Sequence, residues 1–315
     1  MKRVLSLLVL VALLCTALVG CKEPEPTDAT YKLGIGVAVE NTTTNEAKAK
    51  SEVTAAAVIL DADGKIVACR IDTLAVDAFF AEGAVVANKT YTSKMELGDD
   101  YGMLGAAYGS TLAEWDAQAK AFETFVTGKT LSEVSAINDD TVIAGCTIGT
   151  EAFVEAVEDA CKDGFAVSFT SAVAPTLGVA LNGGVADKSK KDADDNVTEV
   201  AAELTVDAAA VAMVEGKVVA ATLDCATPKF TLDGEDVAVS FSKTKREFGD
   251  GYGMLGAAYG STLAEWYTQA QTYANTTVGK TATEVAALAT EGVAGCTIYA
   301  GTFKLALEKA AKAVR

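Results

Sequence analysis

The sequence predicts an α+β fold made of two tandem copies of one domain, each with a hairpin-based antiparallel sheet packed with helices. Three observations predict it. A run of fifteen residues, Tyr101–Trp115, recurs without change at Tyr252–Trp266. Apolar stretches rich in Val, Ile and Ala flank short turns, the mark of paired strands. Further along each copy, apolar residues recur at helical spacing.

The first copy opens with a strand over Tyr31–Val39. Val53–Leu60 and Lys65–Ile71 then form a hairpin around the four-residue turn Asp61-Ala-Asp-Gly64. The second copy repeats this at Ala201–Val211 and Lys217–Leu223, with the turn at Val214-Glu-Gly216. Helices follow. Thr111 and Glu114 have capping-box spacing, and Leu112, Trp115, Ala119, Phe122 and Val126 then fall on one helical face. Thr130 with Glu133, and Thr281 with Glu284, open a short second helix in the same way. Phe153, Val157, Ala160 and Cys161 mark a last amphipathic helix, and Phe303, Leu307, Ala310 and Val314 its counterpart.

The landmarks keep their order in both copies. Lys94–Asp99 matches Lys245–Asp250, Gly128-Lys-Thr130 matches Gly279-Lys-Thr281, and Ala144–Ile148 matches Ala294–Ile298. Two domain-sized units are a duplication and not a solenoid of short repeats. The first domain spans 31–163 and the second 176–315, with a linker near Asp163–Pro175.

The N-terminus reads as a targeting segment. Lys2 and Arg3 precede an apolar run, Val4–Val19, that ends in Leu18-Val19-Gly20-Cys21. This is the form of a lipoprotein signal peptide over 1–20 with lipid attached at Cys21. The apolar run is near the short limit for a membrane span. Residues 21–30 read as a polar tether, and the anchored protein is expected on the extracellular face of the cytoplasmic membrane.

Composition narrows the chemistry. The formal charge is −17, and removal of residues 1–20 takes it to −19. An acidic surface argues against nucleic acid as a partner. The chain has no histidine, which excludes a Ser-His-Asp triad and histidine ligands for haem or zinc. None of its seven cysteines forms a C-x-x-C pair, so iron–sulfur and c-type haem motifs are absent. No metal site is expected.

Several motifs fall away on inspection. Gly102, Gly105 and Gly109 lack dinucleotide or P-loop spacing, and Gly128-Lys-Thr130 lacks the upstream glycine of a Walker A loop, since Glu123 stands there. Asp99, Asp100 and Asp250 read as an exposed turn, and Trp115 and Trp266 as core. Gly145-Cys146-Thr147 and Gly295-Cys296-Thr297 each precede the last helix. A threonine there sets its hydroxyl near the helix start, where backbone N–H groups and the helix dipole favour an anion such as a phosphate. The bland alternative is a capping turn. Cys146 and Cys296 read as small buried hydrophobes.

The stretches Glu96–Met103, Glu114-Trp115, Phe122–Thr130 and Cys146-Thr147-Ile148 resemble tandem-domain lipoproteins of Gram-positive bacteria that serve flavin-based extracellular electron transfer and carry FMN-binding-type domains. The resemblance covers nearly the whole chain beyond the signal. It implies that a flavin transferase takes FMN from FAD in a Mg²⁺-dependent step and joins its phosphate to Thr147 and Thr297. It implies a membrane quinol-oxidising partner as electron donor and extracellular acceptors. Gly145 and Thr147, like Gly295 and Thr297, fit the attachment motif of that family. Ala144 and Ala294 replace its hydroxyl residue, and Cys146 and Cys296 replace its alanine. Two flavins on one chain would pass electrons between domains or extend reach above the membrane. A reading from another class is a cofactor-free ligand-binding or adhesion lipoprotein with a duplicated domain.

Overall fold

A computed structural model describes residues 28–77, 79–87, 91–105, 109, 112–256, 260 and 263–315. Residues 1–20, Cys21 and Thr111 lie outside the described residues. The fold is α+β, and both main sheets are antiparallel.

The first copy builds β1 (Ala29–Thr43), β2 (Ala49–Leu60) and β3 (Ile66–Asp77), then a minor hairpin of β4 (Phe80–Ala81) and β5 (Ala84–Val85). Its helices are α1 (Lys94–Leu97), α2 (Trp115–Val126), α3 (Leu131–Val134) and α4 (Glu151–Cys161). β6 (Val167–Ser171) lies in the stretch expected to link the copies. It is not a slack connection, because it pairs antiparallel with β1 and completes the sheet order β3-β2-β1-β6.

The second copy builds β7 (Thr176–Asp187), β8 (Lys190–Lys191), β9 (Val197–Val214) and β10 (Lys217–Ala226), followed by β11 (Lys229–Asp233) and β12 (Asp236–Ser240). The long β9 holds β7, β8, β10 and β11. Helices α5 (Lys245–Phe248), α6 (Trp266–Asn275), α7 (Ala282–Ala286) and α8 (Gly301–Lys312) follow in the order of the first copy. No helix among the described residues is long and apolar enough to cross a membrane.

The two sheets pack face to face. Leu33, Ile35, Val37, Val53, Ala55, Ala57 and Ile59 of the first share one core with Leu177, Val179, Leu181, Leu204, Val206 and Ala208 of the second. On the outer face of the first sheet, Ala56, Val58, Cys69 and Ile71 pack against Trp115, Phe122, Phe153 and Val157. On the outer face of the second, Val211, Ala221 and Leu223 pack against Trp266, Tyr273, Phe303 and Leu307. The molecule is a four-layer helix–sheet–sheet–helix stack in which β2 and β9 are buried on both faces. This explains why they read as continuous apolar runs rather than alternating ones.

Glycine sets how closely the last helix approaches. A Cβ on Gly34 would lie 1.8 Å from the Ala160 carbonyl oxygen, and one on Gly178 would lie 2.0 Å from that of Ala310. The two glycines fix the correspondence between the copies. Gly34 pairs with Val58 and Gly178 with Val211, so Thr54 and its cross-strand partner Thr73 match Asp207 and Cys225.

The sequence-level caps are partly redrawn. Thr130 and Thr281 each donate their backbone N–H to the carboxylate of Glu133 or Glu284 at 2.8 Å, as capping boxes do. Two further boxes, Ser93 with Glu96 and Thr244 with Glu247, close α1 and α5. Helix α2 instead starts at Trp115 with Glu114 as its N-cap, and Leu112 lies outside it with an exposed side chain. Gly128-Lys-Thr130 serves the sheet: the Gly128 N–H donates to the Ile66 carbonyl at 2.7 Å and the Ile66 N–H to the Lys129 carbonyl at 2.9 Å. Gly279 and Val218 repeat the exchange at 2.8 and 2.9 Å with Lys280.

Candidate functional site

The Ile143–Ile148 turn begins with a hydrogen bond from the Cys146 N–H to the Ile143 carbonyl at 3.1 Å, and Gly145 sits at φ +85°. That left-handed conformation at the third position of the turn is one that glycine adopts without strain. Gly295, at φ +83°, plays the same part under the bond from Cys296 to Val293. The turn presents Thr147 and Thr297 at the surface of their copies.

A buried glutamine on the preceding long helix holds each threonine. The Thr147 N–H and hydroxyl both donate to Gln118 Oε1, at 2.8 and 3.1 Å. Thr297 does the same to Gln269 Oε1, at 2.8 and 3.0 Å. The hydroxyl of each exposed threonine thus commits its proton to the buried amide. The amide N–H of Gln118 donates to the Ala113 carbonyl at 2.9 Å and that of Gln269 to Ala264 at 2.7 Å. Above this clamp, the Glu114 carboxylate accepts from the Met103 and Leu104 N–H groups at 2.6 and 3.0 Å. Glu265 repeats the contact to Met254 and Leu255 at 2.7 and 3.1 Å. The identical fifteen-residue run is thus fastened, through its own glutamate, to the helix that grips the threonine.

The expected placement of the threonines at the helix start is corrected. Helix α4 begins at Glu151 behind Thr150, and α8 at Gly301 behind Ala300. The Thr147 N–H is occupied by Gln118 rather than left open to an anion. Cys146 and Cys296 turn their sulfurs toward the Ile148 and Ile298 carbonyls. Burial raises both thiol pKa values, so neither is a thiolate at neutral pH.

A cleft of about 350 Å³ opens beside Thr147, lined by Asn138, Asp139, Thr141, Val142, Cys146 and Glu151 among others, with no basic residue on its wall. Across the Ile148–Glu151 segment lies a second pocket of about 280 Å³. Its wall carries Lys94, whose ammonium stands 5.3 Å from the Tyr101 ring centre and 5.6 Å from that of Trp115. Lys94 also contacts Glu52 at 3.3 Å. In the second copy Lys245 stands 5.6 Å from both Tyr252 and Trp266. There burial works against the ammonium, yet Cys225, Tyr252 and Asp207 hold its pKa above the usual value.

Each lysine is carried by a four-residue helix seated on a buried aspartate. Asp72 accepts from the Thr73 and Met95 N–H groups at 2.8 and 3.1 Å, and Asp224 from Cys225 and Arg246 at 2.6 and 3.1 Å. Burial raises the pKa of Asp72 to about 7 and that of Asp224 to about 6.

Sequence reasoning missed Gln118, Gln269 and the buried aspartates. A signal existed: of the three residues after the repeated run, Asp116-Ala-Gln118 against Tyr267-Thr-Gln269, only glutamine is kept. Among the described residues, no group of three or more His, Cys, Asp or Glu is placed to hold a metal ion. No protein-family model, curated protein or solved structure matches the chain.

Proposed function

We propose that the protein is a lipid-anchored extracellular electron-transfer flavoprotein of the FMN-binding type, with FMN esterified to Thr147 and Thr297. The observation that supports it most is the duplicated clamp. Two exposed threonines stand in matching glycine turns, each with its hydroxyl proton held by a buried glutamine.

The residues present fit a covalently held group. The cleft beside Thr147 has no cation to retain a free anion, and Asp139 and Glu151 on its wall repel one. A flavin phosphate stays there only through a bond. Forming that bond would join Thr147 Oγ to the FMN phosphorus of a flavin dinucleotide, with AMP as the leaving group and the threonine proton given up to solvent or to the transferase; the residues here would hold the oxygen in place. Gln118 orients the oxygen and, as a neutral amide, does not act as the base. When bound, the flavin supplies one- and two-electron transfer, and a histidine-free chain supplies position and surroundings.

A second reading, a cofactor-free ligand-binding lipoprotein, is favoured by the pocket under Lys94, Tyr101 and Trp115. One experiment separates the two. Protein from its native host is run on a denaturing gel and its intact mass measured. The flavin reading expects a fluorescent band and two FMN additions, one lost in Thr147→Ala and one in Thr297→Ala. Colourless protein of unmodified mass leaves the ligand-binding reading.

A further inference from the structure

Strand β1 is fully paired on one side only. β2 pairs with it from Lys32 to Thr43, whereas β6 pairs with its other edge only from Ala29 to Leu33. Val167 opens β6 opposite Leu33, and the chain before it turns away through a single 3₁₀ turn, Asp163–Phe165. Gly34–Val37 therefore present an edge without a strand. These four residues are buried, and among the described residues none makes a backbone hydrogen bond outside the sheet. An open edge offers N–H and C=O groups to a further strand, and buried backbone groups need partners.

This edge lines a slot of about 240 Å³ between the copies. Asp159 and Lys162 at the end of α4 form one wall, Phe165 and Ala166 a second, and Arg246 and Glu247 of α5 a third. Gly36 runs directly beneath the helix: a Cβ there would lie 2.7 Å from the Asp159 Cβ. The two cations are engaged within the walls. Lys162 binds Asp159, and Arg246 donates to the Phe165 and Leu223 carbonyls. Carboxylates crowd the mouth. The pKa of Glu155 is raised first by burial and then by the charges of Asp159, Glu247, Glu40 and Glu158. Such a mouth attracts positive charge.

We infer that the Gly34–Val37 edge is a peptide-binding site, which takes an extended, basic peptide as a further strand of the first sheet. Main-chain hydrogen bonds to the edge supply the affinity, as in other strand-addition complexes. The carboxylates at the mouth select basic side chains. The slot is short, so it takes the middle of the peptide and leaves the ends outside. It lies apart from both threonine turns, and the inference does not depend on a flavin at either.

The probe is the capped peptide acetyl-Lys-Val-Lys-Val-Lys-amide. It is titrated into the full chain in detergent by calorimetry, and amide hydrogen exchange is followed with and without it. Saturable binding with slowed exchange over Gly34–Val37 is expected. Only alternate N–H groups of an added strand face the edge. Of two peptides N-methylated on alternate sets of amides, one is therefore expected to lose roughly tenfold or more in affinity and the other to keep it. The acidic peptide acetyl-Glu-Val-Glu-Val-Glu-amide is expected to bind more weakly than the basic one. Glu155→Lys, on the exposed side of α4, should weaken the basic peptide about threefold. Equal effects of the two methylation patterns overturn the added strand. So do equal binding of acidic and basic peptides, protection confined to other segments, or no binding. A chain that is dimeric by light scattering, with this edge already protected, assigns the edge to a second copy and overturns the peptide site.

Discussion

The two copies share a backbone plan and differ in what lies beneath their lysines. In the first, Thr54 and Thr73 face each other across the strands and share a hydrogen bond of 2.8 Å. In the second, the same places hold Asp207 and Cys225, and neither carboxylate oxygen of Asp207 has a hydrogen-bond partner although the residue is buried. Burial raises the pKa of Asp207. The glycine contacts, the buried aspartates, the capping boxes and the glutamine clamps survive in both copies. Duplication has therefore preserved the parts that fix main-chain geometry and released the side chains those parts support.

The seams between the copies differ in the same spirit. Arg246 of α5 lies buried against the Phe165 ring, 4.9 Å from its centre, and donates to the Phe165 and Leu223 carbonyls. In the first copy Met95 takes the place of Arg246, and the arginine at that seam is Arg315, at the end of the second copy. Arg315 reaches the Glu123 carboxylate at 2.7 and 2.8 Å and approaches the Met95 sulfur. Each seam has an arginine, and both come from the second copy, one from the start of its short helix and one from the end of the chain.

Mutations can break or sharpen this comparison. The largest effect is expected where the copies agree. Gly34→Ala and Gly178→Ala each drive a Cβ into a helix carbonyl and should each cost about 3 kcal/mol or more, read by urea denaturation. If only one is damaging, the shared plan is not shared at that point. Gly36 adds a second close approach, 2.1 Å from the Ala156 oxygen, where the second copy has Ala180. The first copy is therefore expected to tolerate the change less.

A smaller, opposite-signed pair tests the divergence. Asp207→Thr alone strips the buried Lys245 ammonium of a supporting charge and should destabilise the chain, whereas Asp207→Thr with Lys245→Met removes both charges and should be neutral or stabilising by about 1–4 kcal/mol. Equal effects of the two variants would mean that Asp207 does not support Lys245.

The smallest effect concerns pH. After burial, the nearby Arg246 charge is the main influence on Asp224, pulling its pKa down, and Asp72 has Met95 in that position. Both folded-state values, about 7 and about 6, lie above the ordinary aspartate value, so the native state holds extra protons between about pH 4 and those values. The contribution of these groups to stability is complete below about pH 4 and is lost as pH rises through 6 for Asp224 and 7 for Asp72. Arg246→Met should carry the Asp224 loss to higher pH, and Met95→Arg should carry the Asp72 loss to lower pH. Stability measured against pH in the two variants reads the shift.

Much of the plan was legible in the sequence. The hairpins, the last helices and the caps at Thr130 and Thr281 follow from period, turn residues and Ser/Thr–Glu spacing. The sheet-on-sheet core was not read, though Val53–Leu60 carries its trace: a run apolar at every second and every intervening position must be covered on both sides. β6 hides in the linker because Val167-Ser-Phe-Thr-Ser171 is short and only its Val and Phe alternate. The glutamine clamp was hidden because a buried amide looks like any polar residue on an amphipathic helix. Its partners, at position 147 for Gln118, are distant in the chain.

The four-layer order bears on the proposed flavins. Thr147 belongs to one outer layer and Thr297 to the other, so two sheets stand between them. Three interlayer spacings of about 10 Å place the helix layers roughly 30 Å apart. Tunnelling decays exponentially with distance, so redox groups fixed at the two turns would not exchange electrons through the interior at useful speed. On the proposed flavin reading, that order favours two terminals working in parallel, one on each side of the slab, over a hand-over through the interior.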